Sequence, residues 1–204
     1  MREEIILYHG SKNIVESPEI RVTKYNKDFY FGFYCTTLDA QAKRWATRFD
    51  GKGILNEYRY TPNEELSVKV FPEMSEEWLD FIVACRSGKS HNYDIVEGPM
   101  ANDTIFNYVQ NFVDGKISRE AFWDLARFKK PTHQISFHTA KSLTTLKFLK
   151  YGYRNPTGFR RWVKVAKSGG LCYTCVMGTW KSKTDTSICY STILFSYASI
   201  ERNC

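Results

Sequence analysis

The 204 residues, 43% of them hydrophobic and 25% charged, are enough for one core of ordinary size with an appendage, which excludes a disordered or fibrous chain. No run approaches the ~18 consecutive apolar residues of a membrane span, and "MREEII" has neither the basic flank nor the apolar stretch of a signal peptide, so a cytoplasmic location without a membrane partner is expected. Of the formal charge of +7, +6 falls from Tyr151 onward, where eight Lys/Arg face only Asp185 and Glu201; the near-neutral body implies no nucleic-acid face.

In chain order, "EEIILYH" alternates weakly and stops at Gly10-Ser11, which predicts a short buried strand ended by a turn. "DFYFGFYCTT" is aromatic and β-rich around Gly32 and feeds "LDAQAKRWATRF", a predicted helix with Ala40, Trp45, Ala46 and Phe49 near helical spacing. "NEYRY" and "LSVKVF" read as two strands of a hairpin through "TPNEE". "SEEWLDFIVACRSG" opens on Ser75 with two glutamates behind it and closes at Gly88, the polarity of a capped helix.

"YDIVEGP" predicts a strand ended by Gly98-Pro99, and "TIFNYVQNFVDG" and "SREAFWDLARF" predict two helices. "HQISFHT" alternates like a strand, and "AKSLTTLKFLKY" reads as a helix with Leu143, Leu146, Phe148 and Leu149 on its apolar side. The mixture is α+β, without the βαβ rhythm of a doubly wound sheet.

After Tyr151 leucine becomes scarce and Ser, Thr and Lys accumulate, which sets a boundary between a domain of residues 1–151 and a basic extension of residues 152–204. That extension holds Cys172, Cys175, Cys189 and Cys204, whereas residues 1–150 hold only Cys35 and Cys85, so free thiols are expected there. Cys172 and Cys175 have the spacing of two zinc ligands, but without a second close pair the unliganded reading is preferred and no metal is expected.

No glycine-rich phosphate loop of known pattern is present, so any nucleotide must be held in another way. "LYHGSK", "GFYCTT" and "HQISFHTAKSLTTLKFLK" are similar, in order and at sensible separations, to the three motif regions of the ADP-ribosyltransferase superfamily in its poly(ADP-ribose) polymerase-like His-Tyr-Glu branch. "DFYFGFYCTTLDAQAKRWA" and "YDIVEGPMAND" resemble more closely the bacterial domain of unknown function 3990 family of that superfamily. The resemblance covers about residues 4 to 150. It implies a split β-sheet with flanking helices, NAD as substrate, and mono-ADP-ribosyl transfer to a macromolecular acceptor, protein or nucleic acid. An NAD glycohydrolase and a catalytically inactive module that binds NAD, ADP-ribose or a macromolecule are the alternatives.

Carried over residue by residue, the resemblance implies that His9 bonds the adenosine ribose and that the backbone of Gly10 meets the nicotinamide amide, with Ser11 beside them. It further implies that Tyr34 and Trp45 stack on the two faces of the nicotinamide ring, a use that suits flat aromatic surfaces. Taken singly these are ordinary packing residues; their joint order carries the reading.

The sequence departs from the pattern twice: Tyr30 stands where the family carries a glycine, and Gln134 stands at the catalytic glutamate. An amide accepts a hydrogen bond but cannot ionise, so chain elongation is not expected, and Asp94, Glu97 or Asp103 is a possible source of the missing carboxylate. On this reading Gln134→Glu folds normally and raises NAD cleavage.

Overall fold

The computed structural model describes residues 4–22, 27–48, 53–101, 108, 111–112, 114–126 and 132–153, together with the backbone of 154–155, 158–168 and 171–177. Its described elements run β1 (Ile5–Ser11), β2 (Phe33–Cys35), α1 (Asp39–Thr47), β3 (Ile54–Tyr60), β4 (Val68–Val70), α2 (Glu76–Arg86), β5 (Ile95–Gly98), α3 (Arg119–Ala126), β6 (Gln134–Phe137), α4 (Ala140–Leu143), β7 (Leu146–Asn155), β8 (Gly158–Ser168) and β9 (Leu171–Met177). The predicted helix over 104–115 lies largely outside the described residues. Among the described residues no helix is long and apolar enough to cross a membrane.

The strands form two sheets. One has the order β1-β3-β7-β8-β9, antiparallel throughout, and the other β2-β6-β5-β4, in which only β4 and β5 run parallel. Among the described residues an isolated bridge, Tyr8 to Thr36, joins β1 of the first sheet to the end of β2 in the second, through two backbone hydrogen bonds of 2.8 and 2.9 Å.

Strand β6 shows how sequence period becomes packing. All four of its residues are buried, and alternation sends them to opposite faces. Ile135 and Phe137 join Leu7, Phe33, Tyr58 and Tyr60 in the core between the sheets. On the other face Tyr34, Val96, Phe29 and Phe71 pack under α2, through Trp78, Leu79 and Ile82. Helix α2 starts as its sequence predicts, with the Ser75 side chain accepting from the Trp78 amide.

Two expectations are corrected. Strands β3 and β4 do not form a hairpin, because β3 lies between β1 and β7 while β4 edges the other sheet. The predicted helix over "AKSLTTLKFLKY" ends after one turn, and from Leu146 the chain becomes β7, which lies along β3. The two β-branched threonines that close α4 favour the extended state, and pairing with β3 decides it. Strand β7 runs across the boundary set after Tyr151, and β8 and β9 follow it in the first sheet. Cys172 and Cys175 lie on β9, with their side chains outside the described residues; Cys189 and Cys204 fall in 178–204, also outside them.

Candidate functional site

The bridge between the sheets places His9 beside β2. The His9 Nδ1–H donates to the Tyr34 carbonyl at 2.6 Å, and the ring lies against Phe33 with centroids 4.5 Å apart. Burial pushes the imidazole down to about 4 against the pull of that bond, with Lys27 and then Arg21 adding like-charge repulsion. His9 is thus neutral at pH 7 with its proton on Nδ1, which leaves Nε2 as an acceptor that makes no hydrogen bond among the described residues.

The other expected ligand-binding residues also have packing and turn roles. A Cβ on Gly10 would stand 2.2 Å from the Ala42 carbonyl oxygen and 2.7 Å from the Ala46 amide, so α1 alone requires glycine there. Gly10→Ala is expected to lower stability by roughly 2–3 kcal/mol, read from the urea midpoint. Unchanged stability would return the position to a purely ligand-dictated role. The Ser11 hydroxyl donates to the Asn13 carbonyl at 2.6 Å and accepts from buried Asn56, which holds the turn.

Tyr34 is a core residue, 8% exposed. Its hydroxyl donates to the Tyr30 carbonyl at 2.7 Å and accepts from the Phe29 amide at 3.0 Å. Trp45 lies half-buried on α1 beside Gly10, and no ring contact joins it to Tyr34 among the described residues. The Tyr34 ring packs in the core beneath α2, whereas Trp45 lies on α1.

Tyr30 holds a φ of 69°, the left-handed region that suits glycine, at the position where the resembled pattern has one. The loop keeps the glycine's shape at a cost of about 1 kcal/mol, clamped by the Tyr34 hydroxyl.

Gln134 is 3% exposed and does not meet His9. Its Nε2 donates to Asp28 Oδ2 at 3.0 Å and to the Pro99 carbonyl at 3.1 Å, where the Trp78 indole N–H also donates. Asp28 Oδ2 also accepts from the Ala101 amide at 2.9 Å, and Oδ1 accepts from Arg86 Nε at 3.0 Å and from Arg86 Nη2. Four donors thus saturate one buried carboxylate, and the glutamine is one of them.

Of the alternative carboxylates, Asp94 accepts from the Thr139 hydroxyl at 2.6 Å and the Ser67 amide at 2.9 Å, bonds that hold it below its ordinary range and clasp three segments. Glu97 points to the opposite face from Gln134 and accepts at 2.9 Å from His133 Nε2–H, whose Nδ1 accepts from the Thr37 amide. Asp103 lies outside the described residues. No three His, Cys, Asp or Glu side chains converge as a metal would require among the described residues.

What the sequence did not reveal is that every histidine grips one segment. His91 Nε2–H donates to the Phe29 carbonyl at 3.1 Å and His138 Nδ1–H to the Phe31 carbonyl at 2.7 Å, while His9 and His133 hold Tyr34 and Thr37. The family model described as Protein of unknown function (DUF3990) matches residues 5–148, which include this segment and all four histidines. The chain belongs to that family. No curated protein and no solved structure matches the DUF3990 chain. The matched span of this DUF3990 protein ends within β7, so β8 and β9 lie beyond it.

Proposed function

We propose that this DUF3990 chain is an NAD-dependent mono-ADP-ribosyltransferase acting on a macromolecular acceptor, protein or nucleic acid. The observation that carries the reading is His9. A neutral imidazole at the joint of two sheets, with its Nδ1 proton fixed on the Tyr34 carbonyl, offers Nε2 as the acceptor that a ribose hydroxyl needs. An imidazolium would offer none.

In the reaction the bond between the ribose C1′ and the nicotinamide nitrogen breaks, its electron pair leaves with neutral nicotinamide, and the acceptor nucleophile bonds to C1′ as its proton passes to solvent. The chain contributes chiefly positioning, through a 29–37 segment fixed from four directions by imidazoles.

A second reading has a specific observation in its favour. The Gln134 amide is committed to Asp28 and Pro99, so the position leaves no ionisable group for a developing cation, which suits a module that binds NAD or ADP-ribose without cleaving it. Incubation of the full chain with labelled NAD and a cell lysate separates the outcomes. Label on macromolecules is expected, and should be lost in His9→Ala. Free ADP-ribose alone would indicate a glycohydrolase, and binding without cleavage would indicate the module.

A further inference from the structure

Strand β4 is an edge of the second sheet, with β5 as its neighbour among the described residues. The Ser67 carbonyl accepts from the Ile95 amide at 3.2 Å and the Phe71 amide donates to the Glu97 carbonyl at 2.8 Å, so by alternation Lys69 also faces β5. The amides and carbonyls of Val68 and Val70 then point away from the sheet, and among the described residues they make no hydrogen bond. The two valine side chains are 43% and 52% exposed, on the face that carries Ile95 and Glu97. A lysine often guards such an edge. Here Lys69 is turned to the other face, where its Nζ pairs with Glu77 of α2 and lies 5.0 Å from the Phe71 ring centroid, so the valines are left unguarded. The surroundings are acidic. Residues 64–80 hold six acids and one base, in a chain of net charge +7. Lys141 pairs with Glu65, and Arg119 with Glu76 and Asp80; with those two cations counted, the acids still exceed the bases by three. Glu64 and Glu73, one before β4 and one after it, have no ion-pair partner among the described residues. A local negative field of this kind repels nucleic acid and attracts a basic segment.

We propose that β4 is a docking edge for an extended, basic segment of a partner polypeptide, which adds to the second sheet as a further strand. Its backbone pairs with the outward amides and carbonyls of Val68 and Val70. One set of its alternate side chains is apolar and covers the two valines; the other set is basic and lies on the side of Glu77, with Glu64 and Glu73 at the ends. Main-chain pairing supplies the affinity in this mode of recognition, and the alternate side chains supply the selection. The proposal is independent of the NAD reading, since β2, which meets His9, lies at the opposite edge of the same sheet.

The probe is a short capped peptide of alternating lysine and valine, titrated into the full chain and followed by calorimetry and by amide hydrogen exchange. It should bind, and the Val68 and Val70 amides, fast to exchange in the free chain, should become protected while the Lys69 amide is unchanged. The same peptide with glutamate in place of lysine should not bind. Of two lysine peptides N-methylated at alternate residues, one in each register, one should bind about tenfold more weakly, which tests the edge in the parent chain itself. Val70→Lys should weaken binding about tenfold, and Glu73→Lys or added salt severalfold. Failure of the lysine peptide to bind overturns the proposal, as does equal binding by both methylated peptides or by Val70→Lys, or equal affinity for the glutamate peptide. Dimers of the free chain that already protect the Val68 and Val70 amides would also overturn it and assign the edge to a second copy.

Discussion

Gln134→Glu is expected to lower stability by roughly 3–5 kcal/mol at neutral pH, the range measured when a buried charge loses its compensation. The substitution is nearly isosteric, and from sequence it promised normal folding and faster NAD cleavage. The hydrogen-bond pattern reverses that expectation. The amide Nε2 is a donor to the Asp28 carboxylate and the Pro99 carbonyl, and a carboxylate can donate to neither.

At pH 7 the substitution would set two anions about 3 Å apart in a dry site that already uses its arginine on Asp28. The introduced carboxyl should respond by holding a proton to higher pH than usual. The deficit relative to the parent should then shrink as pH falls, because the protonated acid again has a donor for Asp28. Urea midpoints at about pH 7.5 and about pH 5.5 test both parts. A variant with the parent's midpoint at the higher pH would mean that the amide is not structural.

The second large effect is an acid transition that begins well above the carboxylate range. Burial pushes both His9 and His138 down to about 4, and it lowers His91 as well. The unfolded chain takes up these protons near the ordinary 6.5 whereas the folded chain resists until about 4, so the unfolded state binds more protons throughout that window. Stability is therefore fully present above about pH 6.5 and is withdrawn as pH falls to about 4, by roughly 3 kcal/mol for His9 and less for the partly exposed His138.

Segment 29–37 should loosen first, since its carbonyls are what these imidazoles hold. Chemical denaturation across about pH 7 to 4.5 should show the loss, and His138→Asn should flatten its slope. A midpoint constant over that range would mean that the histidines titrate normally.

How much of this was legible depended on whether a residue's partner was near in sequence. Helix α2 was readable because Ser75, Glu76, Glu77 and Gly88 act within a turn of the helix ends, and β6 because alternation is local. The helix wrongly read across 140–151 rested on Leu143, Leu146 and Leu149 at three-residue spacing, while Leu146 and Phe148 also alternate as a strand requires. Pairing with Tyr60 and Tyr58 on β3 decided between them, and that is invisible in the segment itself.

The candidate site was half legible for the same reason. Motif order set His9 and Tyr34 together and the His9 imidazole does bond the Tyr34 backbone, yet which way the tyrosine ring faces depended on Phe29, Trp78 and Ile82. Gln134 was identified as the pivotal position, but its meaning lay in Asp28, an unremarked acid at the head of an aromatic run. Its partner Arg86 lies 58 residues further on, at the end of α2.

The Asp28 carboxylate has a consequence for the order of events on the ribosome. Its donors arrive 58, 73 and 106 residues later in the chain, at Arg86, Ala101 and Gln134. A nascent polypeptide therefore carries an exposed acid and an unfinished second sheet until β6 has cleared the exit tunnel. At about 5–20 residues per second that is an interval of several seconds in which β2 has no partner strand to lie against. Translation arrested between Arg86 and Gln134 should leave a protease-sensitive chain, and release a few dozen residues later should close the layer in one step.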